Sequence, residues 1–120
     1  MILVVDDNPR VVELLGEVLR KEGYRVETAA DGLQAYEKVK EPDCKCMLLD
    51  IRMPKVNGVE LLMLMQAEGI HVPTILMGGF DDFDEKEMKN FSNVVKYMHK
   101  PFELKDMIAA VNRYAKSPAK

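Results

Sequence analysis

The sequence has 120 residues, 48% hydrophobic and 31% charged, proportions that suit one globular domain with room for a single core. Its 17 basic and 20 acidic residues leave a net charge of -3, which argues against the basic stripe of a nucleic-acid backbone binder. Thr28, Thr74, Ser92 and Ser117 are the only Ser or Thr, so serine-hydrolase chemistry has few candidates and a hydroxyl-lined phosphate loop almost none.

The apolar start, Ile2 to Val5, meets Asp6-Asp7 too early for a signal-peptide core. No apolar run approaches the roughly 20 residues of a membrane span. A cytoplasmic location without membrane contact is therefore expected. Ile2 to Val5 itself reads as a strand buried on both faces. Pro9 opens a helix with Val12, Leu15 and Leu19 on one face, Val11, Leu14 and Val18 beside it, and Gly23 at its end. Tyr24–Ala29 reads as a second strand, Asp31-Gly32 as a turn, and Leu33, Tyr36 and Val39 as the face of a short helix closed by Pro42.

Cys44 and Cys46 lie two apart at the entry to a third strand, ending at Asp50. A disulfide between them would be strained, and one pair makes no secreted scaffold. Asn57 is placed to cap a helix carrying Leu61, Leu62, Leu64 and Met65, which Gly69 ends. Its Leu61–Met65 run is expected to fill core, like the nine methionines. Val72–Met77 reads as a fourth strand broken by Gly78-Gly79, residues 82–90 as an acidic helix, and Val94–Met98 as a fifth strand. Pro101 leads into a last helix with Leu104, Met107, Ile108 and Val111 inward, and 117–120 reads as a tail or linker start.

Five strands alternating with five helices imply an α/β domain over residues 1–116, a parallel sheet with helices on both faces. Ligands bind such sheets at the carboxyl ends of strands, where strand order reverses; in the flavodoxin-like order 2-1-3-4-5 this falls between strands 1 and 3. Asp6 and Asp7 follow strand 1 and Asp50 ends strand 3, so that order brings three carboxylates into one pocket. Their mutual repulsion is relieved by a hard divalent cation, and an all-oxygen site suits Mg2+ better than Zn2+. Lys100, after strand 5, has the reach to supply a point charge for an anion beside the metal.

Asp6-Asp7, the segment Asp50-Ile51-Arg52-Met53-Pro54-Lys55-Val56-Asn57-Gly58, and Lys100-Pro101-Phe102 together resemble the receiver domain of bacterial two-component response regulators, over essentially the whole chain. The resemblance implies that Asp50 accepts a phosphoryl group from a phosphohistidine of a sensor kinase or phosphotransfer protein. Asp7, Asp50 and the Arg52 carbonyl would hold Mg2+, with Asp6 acting through metal-bound water. Lys100 would pair with the phosphoryl oxygens, its bond to Pro101 being cis. The implied output is a switched surface for a downstream effector: a signalling module with its own phosphoryl-acceptor chemistry, not a metabolic enzyme. Dimerisation through the last helices would leave no signature in such a sequence, so a homodimer stays open.

The chain departs from the family pattern at Gly78, where Thr or Ser is usual. The Gly79 amide can still donate to a phosphoryl oxygen, but glycine lacks the hydroxyl that draws a strand-5 aromatic, here Tyr97, inward. Coupling between phosphorylation and Tyr97 is therefore expected to be weakened or rerouted, and a phosphorylation-independent interaction module is the alternative reading. Arg52 and Phe80 stand at positions that tune phosphate loss and neither orients an attacking water well, so slow loss is expected. A flavin carrier of the same sheet order is disfavoured because Asp6-Asp7-Asn8 would repel a phosphate. An aspartyl-nucleophile phosphatase would want a second Asp two residues after Asp50, where Arg52 stands.

Overall fold

The computed structural model describes residues 1–53, 55–79 and 85–115, without the side chains of Glu85 and Met88. In chain order these form β1 (Ile2–Val5), α1 (Pro9–Lys21), β2 (Val26–Ala29), α2 (Gly32–Val39), β3 (Cys46–Asp50), α3 (Gly58–Ala67), β4 (Thr74–Gly78), a four-residue turn of helix α4 (Glu85–Met88), β5 (Val94–His99) and α5 (Leu104–Tyr114). The strands make one sheet in the order β2-β1-β3-β4-β5, every neighbouring pair parallel. The expected topology is thus found, with four helices of eight residues or more and the single turn α4.

The central strands β1, β3 and β4 are buried along their whole length and largely apolar, without alternation, because both sheet faces are covered there, whereas the edge strands β2 and β5 carry Glu27 and the exposed Lys96. Leu3, Val5, Met47, Leu49 and Leu76 point into a core closed by Ala35 and Val39 of α2 and Leu61, Leu62 and Met65 of α3. Ile2, Val4, Leu48, Ile75 and Met77 point the other way, onto Leu15 and Leu19 of α1 and Met107 and Val111 of α5. Cys44 and Cys46 are buried free thiols that fall on opposite faces. Burial pushes them up to about 11 and about 12 respectively, which keeps both protonated. Among the described residues, no helix is long and apolar enough to cross a membrane.

Element ends differ from expectation for local reasons. Strand β2 starts at Val26 and not at Tyr24, because the Tyr24 N–H still donates to Leu19 O at 3.1 Å, closing α1 behind Gly23 (φ 99°). Asp31-Gly32 is no free-standing turn: Asp31 caps α2, accepting from Gln34 N–H at 2.8 Å, and Gly32 is the first helical residue. Gly78 does not break β4 but ends it, paired in register with His99. Of the acidic helix expected over 82–90, only Glu85–Met88 is helical among the described residues; residues 81–84 and the tail 117–120 lie outside them. Met63 (58% exposed) and Leu64 (39%) face solvent. The Leu61–Met65 run circles α3, whereas only one side of the helix meets the sheet.

Two glycines make the contrast that tests this packing. A Cβ on Gly32 would sit 2.1 Å from the Val56 carbonyl oxygen, whereas one on Gly16, inside α1, would meet only ordinary contacts at 3.4 Å and beyond. Gly32→Ala should therefore destabilise the fold by about 1–3 kcal/mol through overpacking against backbone. Gly16→Ala should stabilise it by roughly 0.5–1 kcal/mol through helix propensity. Urea melts of the two variants would show opposite displacements; equal effects would contradict the packing.

Candidate functional site

Adjacent strands β1 and β3, in register from Ile2↔Cys46 to Val5↔Leu49, deliver their following residues to the same edge of the sheet. Asp6 is 1% exposed and Asp50 6%, while Asp7 is exposed. One carboxylate oxygen from each of the three falls within 4.8 Å of the others. Asp6 is oriented by its own loop, Oδ1 accepting from Asn8 N–H at 2.9 Å, and its N–H donates to Ala29 O at 3.2 Å. Asn8 also caps α1, its side chain accepting from Arg10 N–H at 3.0 Å; an Asn directly before the helix-opening Pro9 is the sequence signal for that cap.

Lys100 arrives from the far side of β4. Its N–H donates to Gly78 O at 2.8 Å, and the peptide bond to Pro101 is cis. Its Nζ donates to Asp6 Oδ2 at 2.9 Å and lies 3.5 Å from Asp50 Oδ1. Burial lowers the lysine's proton affinity, but these two carboxylates outweigh it and leave the ammonium more firmly protonated than usual. Asp6 thus holds Lys100 more closely than Asp50 does.

Burial, then the Asp6 charge, push the Asp50 carboxyl from its ordinary 3.8 up to about 6, against the pull of Lys100 and the Arg52 N–H. One ammonium against three carboxylates leaves a formal charge of -2, which a divalent cation neutralises. The donors are all oxygen and the outermost, Asp7, faces water, so the group fits a hard ion that keeps part of its hydration shell. Arg52 is exposed. Gly58 lets α3 approach closely: a Cβ there would lie 2.8 Å from the Asp50 carbonyl oxygen.

Gly78 is buried at the end of β4. Tyr97 is half-buried, and its hydroxyl donates to the Gly79 carbonyl at 2.5 Å. Its ring meets His99 edge-on at 4.8 Å. The aromatic is thus held inward by backbone, an arrangement sequence reasoning missed because a carbonyl acceptor has no residue type to announce it. Phe80 lies outside the described residues.

The model of the response regulator receiver domain matches residues 2–112. The chain belongs to that family. Membership gives it a phosphoryl-accepting signalling role in two-component systems, as a module and not a classical enzyme. It is 33% identical to sporulation initiation phosphotransferase F of Bacillus subtilis (strain 168) over 113 residues, 94% of this chain and 91% of that protein. It is 34% identical to the DNA-binding response regulator MtrA of Mycolicibacterium smegmatis over 110 residues, but spans only 48% of that longer regulator. Among solved structures it resembles the response regulator TrrA of Thermotoga maritima, captured in complex with Mg(2+)-BeF. There the TM-score is 0.80 with 30% identity, covering 94% of this chain and 96% of that one.

The receiver's acidic pocket makes a linkage prediction. Folded Asp50 binds its proton more tightly than the unfolded chain does, so metal-free stability should fall as pH rises from about 4 to 6 and level off above. Asp50→Asn removes that penalty. In chelator-treated protein it should be more stable than wild type near neutral pH by about 1–3 kcal/mol, the gain vanishing toward pH 4. A variant no more stable than wild type near neutral pH would contradict the burial argument.

Proposed function

We propose that Asp50 is the phosphoacceptor of a Mg2+-assisted switch, supplied by a sensor histidine kinase or a phosphotransfer protein and read by a downstream effector in the cytoplasm, with residues 1–116 as the working unit. The observation that carries this reading is the cluster itself: Asp50, Asp6 and Asp7 with a carboxylate oxygen each within 4.8 Å of the others, and Lys100 bridging Asp6 and Asp50.

An Asp50 carboxylate oxygen attacks the phosphorus of the donor phosphohistidine as the phosphorus–nitrogen bond breaks, and the imidazole leaves with that electron pair. Lys100, firmly protonated and 34% exposed, moves from its carboxylate partners to the incoming phosphoryl oxygens as a point charge. The Gly79 amide donates to another of those oxygens. Mg2+, held by Asp7, Asp50 and the Arg52 carbonyl with Asp6 behind a bound water, would offset the charge that accumulates on the phosphoryl oxygens. Arg52 and Phe80 carry neither a hydroxyl nor a carboxamide with which to orient a water in line, so the acyl phosphate is lost slowly.

Incubation with acetyl phosphate and Mg2+ should add one phosphoryl group by intact mass, absent in Asp50→Asn and in chelator. Once donor is removed, the adduct should persist for minutes or longer. No adduct would overturn the reading, and a half-life of seconds would overturn the slow-loss claim.

The bond from Tyr97 to Gly79 favours a second reading, a phosphorylation-independent interaction module, because the aromatic is already drawn inward with no hydroxyl at position 78. Gly78→Thr discriminates. If the switch is muted by the missing hydroxyl, the variant should enlarge the phosphorylation-induced change in the Tyr97 ring resonances in NMR spectra. An unaltered response would show that position 78 does not limit coupling.

A further inference from the structure

The loop from β3 to α3, which carries Asp50 into Arg52, is tied to a part of the molecule that the phosphoryl chemistry leaves unused. Lys55 has φ 64°, a left-handed conformation that residues with a Cβ rarely adopt outside Asn and Asp. Its ammonium lies 3.4 Å from Asp31 Oδ2. Asp31 spends its other oxygen on the N-terminus of α2, so one buried carboxylate serves two elements. The backbone closes the same seam, since Gly32 leaves no room for a side chain against Val56. At the other end of the loop, Gly58 N–H donates to Ile51 O at 2.9 Å.

We infer that the Lys55–Asp31 ion pair positions the β3–α3 loop, and through it the Asp50–Arg52 backbone, for cation binding; this rests on the Mg2+ site proposed above. Both are positioning residues, outside the carboxylate cluster itself. With Lys55 64% exposed, the pair contributes little to global stability. A local equilibrium is a different matter. A ligand that requires the ordered loop loses affinity in proportion to the ordered fraction, and an exposed pair typically shifts such a balance by roughly two- to fivefold.

Charge alone predicts another pattern. Removing the Lys55 cation should tighten Mg2+ binding, removing the Asp31 anion should loosen it, and the two should cancel in the double variant. Positioning predicts loosening in both singles and no further loss in the double, since the pair acts as a unit.

The experiment is calorimetric titration of the full chain with Mg2+ alone, on wild type, Lys55→Asn, Asp31→Asn, the double variant and Lys55→Arg. Asn at 55 tolerates the left-handed backbone, and Asn at 31 keeps the helix cap. The Kd for Mg2+ is expected to rise in each single, by up to about fivefold, to rise no further in the double, and to match wild type in Lys55→Arg. In chelated protein, the Gly58 amide should exchange hydrogen faster in both singles. Opposite signs for the two singles, or unchanged Gly58 exchange, would overturn the clamp. If wild type takes up no Mg2+, the proposed metal site fails, and Gly58 exchange alone then decides the clamp.

Discussion

Three carboxylates are held together at the centre of one sheet edge, and a single lysine bridges two of them. Left to itself this cluster would work against folding: burial and the Asp6 charge leave Asp50 reluctant to ionise, and Lys100, at 2.9 Å and 3.5 Å, together with the Arg52 N–H, offsets the repulsion from within. The rest of the molecule holds these groups where they would not go unaided. That requires β1 and β3 to be neighbours, β5 to lie one strand beyond β4, and each strand to end at its functional residue.

The sheet meets that requirement by being apolar on both sides. Successive residues of β1, β3 and β4 alternate between two cores, one under α2 and α3 and the other under α1 and α5. A register slip would therefore exchange the two core sets and move the acidic ends out of line. Caps finish the work at the helix starts: Asn8 on α1, Asp31 on α2, and a reciprocal Asn57–Glu60 capping box on α3. Two of these caps sit within two residues of the acidic edge or bind the loop leaving it, so helix termination and site geometry are shared tasks.

Strands β1 and β3 were legible because doubly buried strands carry no polar interruptions until the functional residue. The acidic cluster was legible because Asp6, Asp7 and Asp50 stand directly where two such runs end. Less was visible wherever backbone does the bonding. Tyr97 could be named as an aromatic of interest, but its acceptor on Gly79 could not. The Tyr24 N–H, committed to α1, made the strand reading two residues too long at that end. Asp31 read as part of a turn because its second role, toward Lys55, depends on a contact 24 positions away in the chain. Met63 and Leu64 were read inward because hydrophobicity on every side of a helix gives no direction.

The two thiols, sealed on opposite faces of the sheet, have a practical corollary. Since neither forms a thiolate near neutral pH, maleimide reagents should ignore the native chain. A cysteine introduced on the surface would then be the sole reactive handle, and site-directed fluorophores or spin labels could follow the α3 exterior or the β5 edge without first rebuilding the interior.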